Sequence, residues 1–129
     1  MTTTAAEMVR QASARIGHVS PAEAQAAMAA GSAVVLDVRE PVEWEHHIAG
    51  AVQVPRGLLE FAADPTSPRH KPELDPGRRV IVYCRSGVRA TLAADTLKSL
   101  GFADVANLDG GIAAWKEAGL PLAEHHEGV

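Results

Sequence analysis

Three short apolar runs, "AVVLDVRE" (33–40), "RVIVYC" (79–84) and "DVANLD" (104–109), constrain this fold more than any other feature. The first opens on consecutive apolar β-formers and then turns abruptly charged, as a strand buried on both faces of a parallel sheet does at its end. Helical stretches separate the runs. In "SPAEAQAAMAAG" (20–31), Ser20 caps, Pro21 suits the first helical position, Glu23 completes a capping box and Gly31 stops the helix. From Val88, the positions Val88, Leu92, Ala93, Leu97 and Leu100 form a helical face that ends at Gly101. A Gly-Gly turn after the third run opens a helix presenting Ile112 and Trp115 and ended by Gly119.

Weaker signals fill the rest. Met8, Ala12 and Ile16 predict a short leading helix over 5–16, and residues 57–63 predict another. Pro41 opens a helical turn, Gly50 makes a turn, and "VQV" (52–54) is a short extended piece. Pro65, Pro68, Pro72 and Pro76 mark residues 64–79 as a surface loop with no core element. Strands alternating with helices over short links require right-handed crossovers onto a parallel sheet, so the expected class is α/β with three layers. In open sheets of this kind ligands bind beyond the carboxyl ends of the strands, where Asp37, Arg39 and Cys84 fall.

At 129 residues the chain is one ordinary domain's worth. Its formal charge of −4 supplies no general basic field, so nucleic acid is not an expected partner. One cysteine allows no internal disulfide, and "MTTTAAEMVRQASARIG" (1–17) holds Glu7, Arg10 and no apolar stretch like a signal peptide. The expectation is a cytoplasmic protein in a reducing compartment with no membrane span.

Cys84 ends the second run, and "RSGVR" (85–89) leads straight into a helix. Successive backbone N–H groups and the positive helix end can converge there into an anion-binding concavity. Arg85 and Arg89 add positive charge. A thiolate is an anion, and this combination is what makes a thiol reactive, so Cys84 is read as a nucleophile rather than as a buried core thiol. Cations at a helix N-terminus are mildly unfavourable, so Arg85 and Arg89 ask for an anionic partner and are read as substrate-binding. Ser86, Gly87 and Val88 contribute backbone to the same cradle, Gly87 by admitting conformations closed to other residues. Asp37 and Arg39 are read as a supporting ion pair that braces the strand end.

"CRSGVRA" after "VIVY", preceded by "VVLDVREPVEW" and "HIAGAVQVP" and followed by "LDGGIAAW", resembles the single-domain rhodanese-like sulfurtransferases in motif, order and spacing from about Val19 to Pro121. The resemblance implies a five-stranded parallel sheet flanked by helices, with a rhodanese-like domain over 18–122, a helical extension over 1–17 and a tail over 123–129. It implies that Cys84 takes a sulfane sulfur as a persulfide from thiosulfate or a similar small anion and passes it to cyanide, a small thiol or a protein thiol, with no cofactor. The family often reads glycine, histidine, isoleucine, proline, glycine where this chain has His46, His47, Ile48, Ala49 and Gly50, and asparagine where Gln53 sits. These departures lie outside the cysteine loop. With no second cysteine, discharge by an internal resolving thiol is impossible.

Two other readings stand beside this one. Cysteine-dependent phosphatases and arsenate reductases also cradle an anion before a helix, with the pattern cysteine, five residues, arginine. Here that arginine position holds Ala90 and the arginine comes one residue earlier, at Arg89, which cramps a tetrahedral oxyanion. A non-catalytic binding module is the third reading, and retention of Cys84 argues against it. His46, His47, His70, His125 and His126 lack the spacing that aims two imidazoles at one metal and are read as surface residues, so no metal is expected. Trp44 and Trp115 are read as packing residues.

Overall fold

The apolar runs become strands because each is buried on both faces, leaving no solvated side to impose alternation. In the computed structural model, which describes residues 2–124, they form β2 (Val34–Asp37), β5 (Val80–Tyr83) and β6 (Val105–Leu108), every residue of which is buried. β1 (Gly17–Val19) and β4 (Val52–Gln53) complete a five-stranded sheet of order β1-β6-β5-β2-β4, parallel throughout. Successive side chains point to opposite faces of a strand. Leu36 and Val82 accordingly enter one core with Ala93 and Leu97, while Val35, Ile81 and Tyr83 enter the other with Ala24, Ile112 and Trp115. The first core lies under α3 (Leu59–Ala63) and α4 (Val88–Ser99), the second under α2 (Pro21–Ala29) and α5 (Gly111–Glu117), which gives the expected three layers. The capping box forms as read: Ser20 Oγ accepts the Glu23 amide at 3.1 Å, and the Ser20 amide donates to Glu23 Oε1 at 3.1 Å.

Some expectations are corrected. The buried face of α4 is Ala90, Thr91, Ala93, Ala94 and Leu97, whereas Val88 is 55% and Leu100 42% exposed. Small side chains let this helix lie close on the sheet, so its alanines rather than its larger apolar residues are buried. Met8 is likewise exposed, and Leu74, in the proline-rich loop, is fully buried in the first core. His47 and His70 are half-buried, His47 Nδ1 donating to the Trp44 carbonyl and His70 Nε2 to the Leu74 carbonyl, while His46 is exposed. A second sheet, not anticipated, pairs β3 (His46–Ile48) antiparallel with β7 (Leu122–Glu124). Residues 123 and 124 of the expected tail thus belong to a strand; the remainder, with His125 and His126, lies outside the described residues.

The leading helix α1 (Ala5–Arg15) is fastened at its end. Arg15 makes a two-pronged ion pair with Asp95 of α4 at 2.8 and 2.7 Å. His18 on β1 places Nδ1 at 2.9 Å from Asp109 Oδ1 and Nε2 at 2.9 Å from the Ser13 carbonyl. Ser13 Oγ also lies 3.2 Å from Nε2, and with two oxygen acceptors facing the ring the imidazolium, which donates from both nitrogens, is favoured. The Ser13 carbonyl, and then Asp109, hold the His18 pKa above its usual value of 6.5. A raised folded-state pKa contributes stability that is complete below the unfolded value and is lost as pH rises through the folded one. Thermal denaturation on either side of that transition is expected to show a small loss of stability at the higher pH that His18→Gln lacks; equal slopes would detach the ring from the helix anchor.

Candidate active site

β5 delivers Cys84 to the carboxyl edge of the sheet, where the chain turns at Gly87 and enters α4. Gly87 caps that helix at φ 118°, a left-handed conformation that a side chain would strain. The turn folds the loop back over the sulfur. Cys84 Sγ accepts the Gly87 amide at 3.1 Å and the Ala90 amide at 3.4 Å. Thr91 Oγ1 donates to the Gly87 carbonyl at 2.7 Å and pins the turn. The amides of Val88 and Arg89, the first two residues of α4, have no acceptor within their own helix, so the positive end of α4 adjoins the same sulfur. Cys84 is itself only 1% exposed, so it is a buried residue and a cradled one together.

The arginines divide. Arg89 is half-buried and grips Glu43 through both amino groups at 2.7 and 2.9 Å. Arg89 in turn holds the Glu43 carboxyl far down, at about 2, against the opposing effect of burial. The Arg89 guanidinium is raised chiefly by its hydrogen bonds to Glu43. Its charge is thus met by a carboxylate, where the sequence reading assigned it to substrate alone. Glu43 ends a 3₁₀ turn, Pro41–Glu43, and nothing in its local sequence separates it from the other acidic residues nearby. Arg85 is exposed, as are Ser86 and Val88.

Asp37 and Arg39 form the expected pair, 0% and 5% exposed. Arg39 donates from Nε to Oδ1 at 3.1 Å and from Nη2 to Oδ2 at 2.9 Å, and its Nη2 also reaches the His46 carbonyl at 2.8 Å. Tyr83 joins them: its hydroxyl donates to Asp37 Oδ2 at 2.7 Å and accepts the Ile48 amide at 3.1 Å, while the Arg39 guanidinium lies 5.5 Å from its ring centre. Burial, then the Asp37 charge, pushes the Tyr83 phenol well up, so it stays a donor. The network ties the ends of β2 and β5 to β3, at the residue that precedes Cys84.

The loop is also held from α5. The Ile112 amide donates to the Cys84 carbonyl at 2.9 Å and the Ala113 amide to the Arg85 carbonyl at 3.2 Å, so amides left over at the start of α5 are satisfied by the cysteine loop. Gly111, at φ 59°, makes this approach possible: a Cβ there would stand 2.5 Å from the Cys84 oxygen and 2.6 Å from the Arg85 oxygen. The "GG" turn was legible in the sequence, its role against the loop was not. Gly111→Ala is expected to cost about 1–3 kcal/mol through overpacking, measured by denaturant unfolding, and to displace the loop amides. An unchanged midpoint would show that the loop yields freely.

A family model described as Rhodanese-like domain matches residues 20–118. The probable adenylyltransferase/sulfurtransferase MoeZ of Mycobacterium tuberculosis is 38% identical over 88 residues, 67% of this chain and 21% of MoeZ, so the chain spans about a fifth of that protein. A sulfurtransferase of Allochromatium vinosum is 37% identical over 90 residues, 69% of this chain and 77% of the relative. Among solved structures, a Rhodopseudomonas palustris protein of unknown function, described as a possible tyrosine phosphatase, aligns with a TM-score of 0.86 at 35% identity, covering 95% of this chain and 96% of that one.

Proposed function

This chain belongs to the rhodanese-like domain family, and on that premise we propose that it is a sulfurtransferase that carries sulfane sulfur on Cys84. The observation that carries the reading is the pair of amides donated to Sγ, from Gly87 and Ala90, at the positive end of α4. The Cys84 thiolate attacks the outer sulfur of thiosulfate. A bond forms between Sγ and that sulfur, the sulfur–sulfur bond of thiosulfate breaks, and sulfite departs with its electron pair. The resulting persulfide anion projects into the loop, whose N–H groups stabilise the negative charge. A second nucleophile, cyanide or a thiol, then takes the outer sulfur and restores the thiolate. Arg85 serves the incoming anion, Arg89 and Glu43 hold the helix start, and Ser86, Gly87 and Val88 supply backbone. Asp37 and Arg39 brace the strand end through Tyr83, with no cofactor and in a cytoplasmic setting.

The likeness to a protein described as a possible tyrosine phosphatase gives the phosphoryl reading a specific basis. Loop size separates the two. With the arginine at Arg89 and the Ala90 amide already on sulfur, the loop suits one projecting sulfur atom, whereas a phosphoryl group needs donors around three oxygens. Incubation with thiosulfate is expected to add one sulfur atom to the intact mass, and the same preparation is expected to show no appreciable hydrolysis of an aryl phosphate. Insertion of one glycine after Val88 is expected to lower sulfur transfer and improve phosphate or arsenate binding. Robust phosphatase turnover that depends on Cys84 would overturn the size argument.

A further inference from the structure

A cleft of about 510 Å³ adjoins the cysteine loop, lined by Arg39, Glu43, Arg85, Ile112, Ala113 and Lys116. Sites that enclose drug-sized ligands run to ~300–1,000 Å³, so this cleft is far roomier than cyanide or a thiosulfate dianion requires. Its charges are unequal in availability. Arg39 is committed to Asp37, and Glu43 to Arg89. Arg85 and Lys116 are exposed, and the side chain of neither has an ion-pair or hydrogen-bond partner among the described residues.

Lys116 lies three and four residues after Ala113 and Ile112 on α5, so the three share one helix face. Because the Ile112 and Ala113 amides are bonded to the Cys84 and Arg85 carbonyls, that face is held at a set position against the loop. Two cations with free side chains in a cleft that also presents the exposed Ala113 match an organic anion whose carboxylates meet the cations and whose hydrocarbon lies against Ala113. We propose that Lys116 is a specificity-determining residue that, with Arg85, selects a carboxylate-bearing low-molecular-weight thiol as the sulfur acceptor. This rests on the reading of Cys84 as a persulfide carrier. The acceptor sulfur bonds to the outer sulfur of the Cys84 persulfide anion, the Sγ–S bond breaks with its electron pair remaining on Sγ, and the thiol proton passes to the product persulfide. No oxidant or reductant is consumed.

The test loads wild type, Lys116→Glu and Lys116→Arg with thiosulfate and compares single-turnover discharge to glutathione, an anionic thiol, with discharge to uncharged 2-mercaptoethanol. Calorimetric titration with S-methylglutathione, which cannot accept sulfur, reads the cleft independently of the chemistry. Wild type is expected to prefer glutathione, Lys116→Glu to lower the preference ratio about tenfold and weaken S-methylglutathione binding to match, and Lys116→Arg to keep both. An equal ratio and equal binding in wild type and a folded Lys116→Glu would overturn the proposal while leaving the persulfide reading intact. Wild type that gains no sulfur in the loading step would overturn the persulfide reading, and the acceptor assignment with it.

Discussion

Cys84→Ser is expected to reduce sulfur uptake and transfer to the level of the blank while the fold persists. Serine is close to cysteine in volume, and its hydroxyl can accept the same Gly87 and Ala90 amides that the sulfur accepts at 3.1 and 3.4 Å. A hydroxyl is not ionised near neutrality, however, so no anion is available to attack a sulfane sulfur. Stability should change little, because the substitution removes no buried bulk and leaves the loop amides paired. Intact mass after thiosulfate reads the chemistry, and circular dichroism with thermal denaturation reads the fold. Sulfur transfer by the variant at a substantial fraction of the wild-type rate would remove Cys84 from the mechanism.

Asp37→Ala is expected to be the most damaging substitution to stability near the site. It leaves the Arg39 guanidinium, 5% exposed, without the carboxylate that accepts from its Nε and Nη2, and it strips the Tyr83 hydroxyl of its acceptor. Breaking a buried ion pair by removing one partner costs about 3–5 kcal/mol, because the remaining charge stays desolvated. Urea unfolding should show that loss as a lower midpoint, and the double variant Asp37→Ala with Arg39→Met should recover part of it, since the stranded charge is then gone. Sulfur loading should fall in the single variant, as β2, β3 and β5 meet through these groups at Tyr83, the residue before Cys84. A midpoint within experimental error of wild type would show the pair to be incidental.

Much of the fold was legible because its signals are local. A strand buried on both faces has to be an apolar run, so β2, β5 and β6 are visible without knowledge of their neighbours. The start of α2 is visible because its capping box closes within Ser20–Glu23. β3 and β7 were not, since three-residue strands carry no period of their own, and Ile48 meets Leu122 only through the finished fold. Leu74 was hidden for a related reason: prolines and charges around it describe the loop's exposed majority, and one buried side chain makes no pattern.

The candidate site divides along the same line. A lone cysteine at a strand end, followed by a glycine-bearing turn and a helix, is enough by itself to specify an amide-lined anion cradle, because backbone geometry at such a junction follows from local sequence. The likeness of Asp37 and Arg39 to an ion pair is equally local, the two lying two residues apart on one strand end. Only the tertiary structure decided that Arg89 would spend its charge on Glu43, that Tyr83 would lock onto Asp37, and that Gly111 would press against the Cys84 carbonyl. Each of those contacts joins residues on different crossovers of the sheet. Which carboxylate meets an arginine, and which glycine leaves room for a carbonyl, is set by the path of the chain between them rather than by either residue's neighbours.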